Sequence, residues 1–256
     1  MSLPLAPEAA SDRAEQPAGR LCIGTAGWSY ADWYGSFYPS LPKPRGFDEL
    51  TFYAAHFDFV EVNTSYYRIP SPRTVEGWAA RTPDGFTFAV KAYGALTHDL
   101  ELASAATFQE FLTALAPLRA TGKLGCILLQ FPPAFQPAPA SQRYLRGLAG
   151  LLDGLPLAIE FRHRSWVAPA RVHDTIALLQ THGLGFVNLD EPALAGNMPP
   201  TSIRTSPLGY VRFHGRNARW TRPTSARRVS GTTICTAGPS SRAGATRSTP
   251  CGRARR

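Results

Sequence analysis

Seven short apolar runs in this chain each stop at a polar or charged residue, and that punctuation constrains the fold more than any other feature. In order they are Leu21-Cys22-Ile23, leading into Gly24-Thr25-Ala26-Gly27-Trp28; Phe59-Val60-Glu61-Val62-Asn63; Phe86 to Lys91; Cys126 to Gln130; Leu157 to Glu160; Phe186-Val187-Asn188; and Tyr210 to His214. Runs this short, rich in β-branched and aromatic residues and separated by stretches of helical periodicity, predict parallel strands in βα units. They recur at intervals of roughly 25 to 40 residues, the spacing of such units, with no self-similar repeat of the solenoid kind. The expected fold class is α/β, as a TIM-type (β/α) barrel.

The intervening segments support that reading. Leu50, Tyr53, Ala54 and Phe57 fall at three-to-four spacing in a helix over about 47–56, and Ser71-Pro72 opens a second helix carrying Val75, Trp78 and Ala79. A third helix is predicted over about 105–116, with Pro117 at its end; a fourth spans about 142–152 and a fifth about 169–182. At 256 residues one such domain accounts for the chain and can bury a substantial core.

Residues 1–20 mix Pro, Ala, Glu and Asp without a basic start or an apolar centre, and they are expected to be a disordered segment rather than a signal. No run of apolar residues is long enough to span a bilayer, so no membrane partner is expected. Cys22 and Cys126 fall inside predicted strands, where a thiol packs as a small apolar group, and a reducing cytoplasm is the expected compartment.

The net charge of +9 invites a nucleic-acid reading, but its distribution weakens it. Residues 221–256 hold eight Arg, no Lys and no acid, so the first 220 residues carry 19 basic against 18 acidic groups. That tail also lacks Leu, Phe, Tyr, Trp and Met, and it is expected to be disordered because it cannot bury enough apolar area to offset the entropy of ordering. One explanation is a basic tail for nucleic acid or acidic lipid; another is translation in the wrong frame. With GC-rich codons, a shifted reading of Gly231 to Arg242 permits Tyr-Asp-Tyr-Leu-Tyr-Ser-Arg-Ala-Glu-Leu-Glu, which has the character of folded protein. On that account the domains are 1–20, the barrel over 21–220 and a frame-shifted tail over 221–256, and the barrel lacks its last βα unit.

In parallel α/β folds chemistry gathers at the carboxyl ends of the strands. Glu61, Lys91, Gln130, Glu160, Arg162, His163, Asp190, Arg212 and His214 all lie at or just past such ends, with Asn63 and Arg216 close by. Each alone is equally explained as an ion pair or hydrogen-bonding plug, but a barrel makes them face one opening. Glu61 and Glu160 are candidates for a general acid/base pair, with His163 and Lys91 as further catalytic candidates; burial against Lys91 or Arg162 is the competing role for the glutamates. Lys91 is also a candidate for Schiff-base chemistry. Arg162, Arg212, Arg216 and Lys91 suit a phosphate or carboxylate. A metal reading would recruit Glu61, His98, Glu160, His163, Asp190 and His214, without any compact ligand motif, and no metal ligand or cofactor is assigned. Trp28 and Tyr30, with Trp33 and Tyr34, either stack on a sugar or base or plug the barrel mouth. No Gly-x-Ser-x-Gly elbow is present, and neither strand Cys sits at a carboxyl end.

Gly24 to Tyr30 with Trp33-Tyr34-Gly35 and Phe37-Tyr38-Pro39, then Phe57 to Asn63, Phe88 to Ala92, Leu129 to Pro133, Glu160 to Trp166 and Tyr210 to Arg216 resemble, in order, the YecE-like proteins, the family catalogued as domain of unknown function 72. The resemblance spans about Leu21 to Trp220. It implies a TIM-type barrel and no established activity, cofactor or catalytic residue. It also implies a continuation resembling Tyr-Asp-Tyr-Leu-Tyr-Ser after the His-Gly-Arg motif, from which the written tail departs. The sequence leaves the function between an enzyme acting on a small anionic or sugar-containing ligand, a nucleic-acid or phosphate binder such as a metal-dependent nuclease, and a nonfunctional truncated product.

Overall fold

The computed structural model describes residues 19–101, 103–152, 154–193, 196–216 and the strand 232–237. Seven strands, β1 (Arg20–Ala26), β2 (Phe59–Val62), β3 (Thr87–Lys91), β4 (Leu124–Gln130), β5 (Leu157–Glu160), β6 (Gly185–Asp190) and β7 (Gly209–Phe213), pair in chain order, and every neighbouring pair is parallel. The fold is mixed α/β with a seven-stranded parallel sheet that curls on itself. An eighth strand, β8 (Thr232–Ala237), pairs antiparallel with both β7 and β1, so the strand order returns to its start.

β8 lies inside the segment expected to be disordered and corrects that expectation for these six residues. Its Thr-Thr-Ile-Cys-Thr stretch has β propensity, and its backbone pairs with the β1 and β7 edges. Its direction is not that of a strand in an eighth βα unit. The rest of the tail, and residues 1–18 of the N-terminal segment, lie outside the described residues.

The helices are α1 (Glu49–Ala54), α2 (Pro72–Ala80), α3 (Ala105–Ala114), α4 (Ala116–Ala120), α5 (Pro139–Leu151) and α6 (Val172–Thr181). Asp48, Ser71 and Ser104 cap α1, α2 and α3, each accepting from a backbone N–H three residues on. Pro117 does not end the third helix. Leu115 closes α3, and the proline sits in the first turn of α4, where its missing N–H costs nothing. No helix among the described residues is long and apolar enough to cross a membrane.

Strand burial explains the seven apolar runs. β2 and β5 are buried along their whole length, as parallel strands covered on both faces must be. Phe88 of β3 stacks on Trp78 of α2, so residues of that parity face the helices, while Ala89 and Lys91 face the sheet interior. Cys22 and Cys126 are buried in β1 and β4. At the junction of β4 and β5 with their loops, Phe161 lies between the rings of Trp166 and Phe131, with centroids 4.1 Å and 6.5 Å away. Trp166 in turn donates from Nε1 to the Phe135 carbonyl at 2.7 Å. Anchoring Phe161 on this side directs its neighbours Glu160 and Arg162 to the other.

β1 and β2 approach closely because Gly24 has no side chain. A Cβ there would lie 1.9 Å from the Phe59 carbonyl oxygen. Gly24→Ala is therefore expected to destabilise the protein by about 1–3 kcal/mol through forced separation of the strands. Gly77→Ala, in α2 with nothing within 4 Å of the new methyl, is expected to stabilise it by about 0.4–1 kcal/mol. Urea midpoints of the two variants should move in opposite directions.

Candidate functional site

At the carboxyl ends of β2, β5 and β7, period-two alternation turns Glu61, Glu160 and Arg212 into the sheet interior. Glu61 and Glu160 are fully buried and Arg212 is 6% exposed. Arg212 grips Glu61 with two parallel hydrogen bonds, Nε to Oε2 at 2.9 Å and Nη2 to Oε1 at 2.7 Å, and donates from Nη1 to Glu160 Oε2 at 2.6 Å. Tyr210, two residues earlier on the same face of β7, donates its hydroxyl to Glu61 Oε2 at 2.8 Å. Burying three ionised groups costs several kcal/mol each, and the charge-assisted hydrogen bonds among them offset that cost.

Arg162, just past β5, extends the cluster outward. Its Nε stands 2.5 Å from Glu160 Oε1, a charge contact whose angles do not make a hydrogen bond. Its Nη1 donates to Glu191 Oε2 at 3.1 Å, and its Nη2 meets His214 Nε2 at 3.2 Å. Arg212 Nη1 also approaches His214 Nε2, at 3.5 Å. A guanidinium can only donate, so Nε2 is the accepting nitrogen and the His214 proton sits on Nδ1. Burial, then the Arg212 and Arg162 charges, push the His214 imidazole down to about 4. Burial alone would raise the Glu160 carboxyl, but the charges of Arg212 and Arg162 outweigh it and hold the group down to about 2.

Lys91 ends β3 beside this cluster. Its Nζ lies 4.5 Å from the centre of the Tyr66 ring, and among the described residues no carboxylate comes within ion-pair distance of it. Burial, the largest influence, and the nearby Arg212 and Arg162 charges lower its ammonium, against the pull of Glu160 and Glu61. Tyr66 packs edge-on to His98, with centroids 5.0 Å apart.

Glu61, Lys91, Glu160, Arg162, Arg212 and His214 thus form one cluster, as their strand-end positions predict. The two glutamates do not stand as an open pair: the Arg212 guanidinium occupies the space that a glycosidase leaves for the scissile bond. Asn63 and Gln130 end β2 and β4, partly buried. His163 is drawn away, its Nδ1 accepting from the Ser165 backbone N–H at 3.2 Å and meeting Ser165 Oγ at 2.6 Å. Asp190 and Arg216 pair with each other in two bonds of 2.9 Å toward the surface. Glu191, the next residue, faces inward instead. It reaches Arg162 and also accepts from the Met198 backbone N–H at 3.0 Å, fastening the connection between β6 and β7. A shift of one position along an extended chain reverses the face a side chain presents, and alternation from Val187 and Leu189 is the signal that singles out Glu191. Tyr210 and Tyr66 are likewise absent from the sequence-based candidates.

The aromatic loop is packed. Trp33 stacks on Tyr53 at 6.3 Å, Trp28 packs edge-on to Trp78 at 6.0 Å, Tyr30 donates its hydroxyl to the Ala26 carbonyl, and Tyr38 is 2% exposed. Tyr38 and Trp33 pack against α1 and Trp28 against α2, while Trp28, Tyr30, Trp33 and Tyr34 each remain partly exposed. Tyr30 still senses the site, because burial first and the Glu61 charge second raise its phenol. Among the described residues no three His, Cys, Asp or Glu side chains converge as a metal set. Glu61 and Glu160 are held by Arg212, Asp190 by Arg216 and His163 by Ser165.

A curled parallel sheet with a charged cluster across its strand carboxyl ends defines the class: an α/β protein of barrel-like architecture with one strand-end site. The family model described as "Protein of unknown function DUF72" matches residues 22–233, and the chain belongs to that family. It is 35% identical over 209 residues to the UPF0759 protein YunF of Bacillus subtilis, covering 78% of this chain and 72% of that one. It is 32% identical over 189 residues to the UPF0759 protein YecE of Escherichia coli K12, covering 71% of this chain and 64% of that one. Among solved structures, a DUF72 family protein from Thermotoga maritima MSB8 matches with a TM-score of 0.66 at 34% identity, over 80% of this chain and 78% of that one. One from Enterococcus faecalis V583 matches with a TM-score of 0.64 at 31% identity, over 70% of this chain and 68% of that one.

Two expectations follow. Arg212→Met leaves two buried carboxylates without their shared counter-ion and should cost about 3–5 kcal/mol in a denaturant titration. A carboxyl lowered on folding lends stability that is complete above its ordinary 4.5 and lost as pH falls toward about 2. A lowered imidazole acts in the same sense: below 6.5 the unfolded chain takes the proton first, so stability falls as pH drops toward about 4. Denaturation midpoints measured against pH should therefore lose the upper limb in His214→Gln and the lower limb in Glu160→Gln.

Proposed function

We propose that the strand-end cluster is the ligand site of an enzyme on a TIM-type barrel, taking a small, singly charged anionic or sugar-acid ligand. Seven parallel strands in chain order, with an eighth strand bonded to both edges, support the barrel reading. The observation that carries the ligand reading is Lys91: a partly buried cation at a strand end without a carboxylate partner among the described residues, next to cations that have theirs. Three cations, Lys91, Arg162 and Arg212, face three carboxylates, Glu61, Glu160 and Glu191, so the cluster lacks the excess charge to hold a polyphosphate. In this reading Lys91 and Arg162 meet the ligand. Glu61, Glu160 and Tyr210 are positioning residues that fix Arg212, because both glutamates are spent on ion pairs. The near balance of charge over the first 220 residues favours this reading over an extended nucleic-acid surface.

Calorimetry with acetate, pyruvate, glyoxylate and inorganic phosphate tests it. The expected result is one site for a small monoanion, a logarithmic salt dependence with a slope of about −1, and roughly tenfold weaker binding in Lys91→Met. Equal affinity in Lys91→Met, or binding only to oligonucleotides with a steep salt slope, would overturn it.

A further inference from the structure

Cationic side chains in this protein are overwhelmingly arginine: 24 Arg against three Lys. The difference matters chemically, because a guanidinium keeps its proton under all ordinary conditions whereas an amine can release it and attack. Two of the lysines are committed. Lys43 is at the surface and donates to Glu49 at 2.8 Å. Lys123 is buried at 6% exposure, and its three donors all have acceptors: the carbonyls of Ala79 at 2.7 Å and Thr82 at 2.6 Å, and the Thr82 hydroxyl at 3.2 Å. Holding α2 against β4 in this way leaves no lone pair to react.

Lys91 differs on every count. It stands at the carboxyl end of β3, inside the cluster, with its Nζ over the face of Tyr66 and no acid or carbonyl accepting from it among the described residues. The ring stabilises the ammonium without taking a proton from it, and the Arg212 and Arg162 charges act on the same group. A ligand carboxylate held by Arg162 would bring an adjacent carbonyl carbon toward this amine.

We infer that Lys91 is a covalent catalytic residue that captures an aldehyde or 2-oxo acid as a Schiff base. The inference rests on the anionic-ligand reading above and names its substrate class. In the step, the Lys91 nitrogen lone pair attacks the carbonyl carbon, the C=O π pair moves to oxygen, and that oxygen takes up the proton the nitrogen gives up. The nitrogen lone pair then forms C=N as the C–O bond breaks, and the hydroxyl leaves as water with the second proton of the nitrogen. Amine and carbonyl become imine and water, with no oxidant or reductant required. Burial and the neighbouring guanidinium charges favour the unprotonated amine the attack needs, and protonation of the imine restores the positive charge at that nitrogen.

Borohydride trapping decides the matter. The full chain is incubated with glyoxylate or pyruvate and reduced, and the product is analysed by intact mass and peptide mapping. The expected result is one adduct per chain, on Lys91 in preference to Lys43 and the amino terminus, absent in both Lys91→Arg and Lys91→Met. Lys91→Arg keeps the charge and serves as the folding control, compared with the parent by circular dichroism; should either variant misfold, the mapped position in the parent chain decides alone. An adduct spread evenly over Lys43 and the amino terminus, or none, overturns the inference. If glyoxylate binds by calorimetry yet is not trapped, only the covalent step falls. If it neither binds nor is trapped and no other small anion binds, the ligand reading falls with it.

Discussion

A guanidinium buried inside a sheet must be neutralised where it stands, and Arg212 imposes that requirement on everything around it. One carboxylate would satisfy its charge; two, on opposite sides, satisfy its directional donors as well. The second then needs its own compensation, which Arg162 supplies, and Arg162 in turn draws on Glu191. The chain of alternating charge runs from the buried interior to the connection after β6, and each member owes its position to the one before it. His214, wedged against two guanidinium groups, stays neutral for the same reason.

Much of this was legible in the sequence. Short apolar runs located the seven parallel strands, and polar residues at their ends named six members of the cluster, because period-two alternation and parallel order together force those ends to one side. What pattern alone could not supply was pairing. Glu61 and Glu160 read as an acid/base pair until Arg212 is seen between them, since nothing in the spacing of residues 61, 160 and 212 says which side chains touch. Asp190 stands at the strand end, whereas the alternation from Leu189 points to Glu191. The tail composition argues against a folded segment, and the strand edges with which β8 pairs cannot be read from composition.

Tyrosine and phenylalanine rings do much of the positioning that the charges then use. Phe161 sits between the inward-facing Glu160 and Arg162 and is itself held in a stack with Trp166 and Phe131. Tyr38 and Trp33 fix the long loop after β1 against α1 and keep Tyr30 near the carboxylates. A rigid apolar shell around a polar centre lowers the reorganisation required when a ligand arrives, because the dipoles are already set.

The hydrogen bond between Arg212 and Glu61 joins residues 151 positions apart in the chain. During synthesis from the amino terminus, β2 therefore leaves the ribosome long before Arg212, which grips its carboxylate at both oxygens. Until β7 arrives, water is the better host for Glu61, and the first half-sheet has reason to stay open on that side. The charge cluster is complete only once β7, the last parallel strand to be made, is in place, and β8 then joins both edges of the sheet.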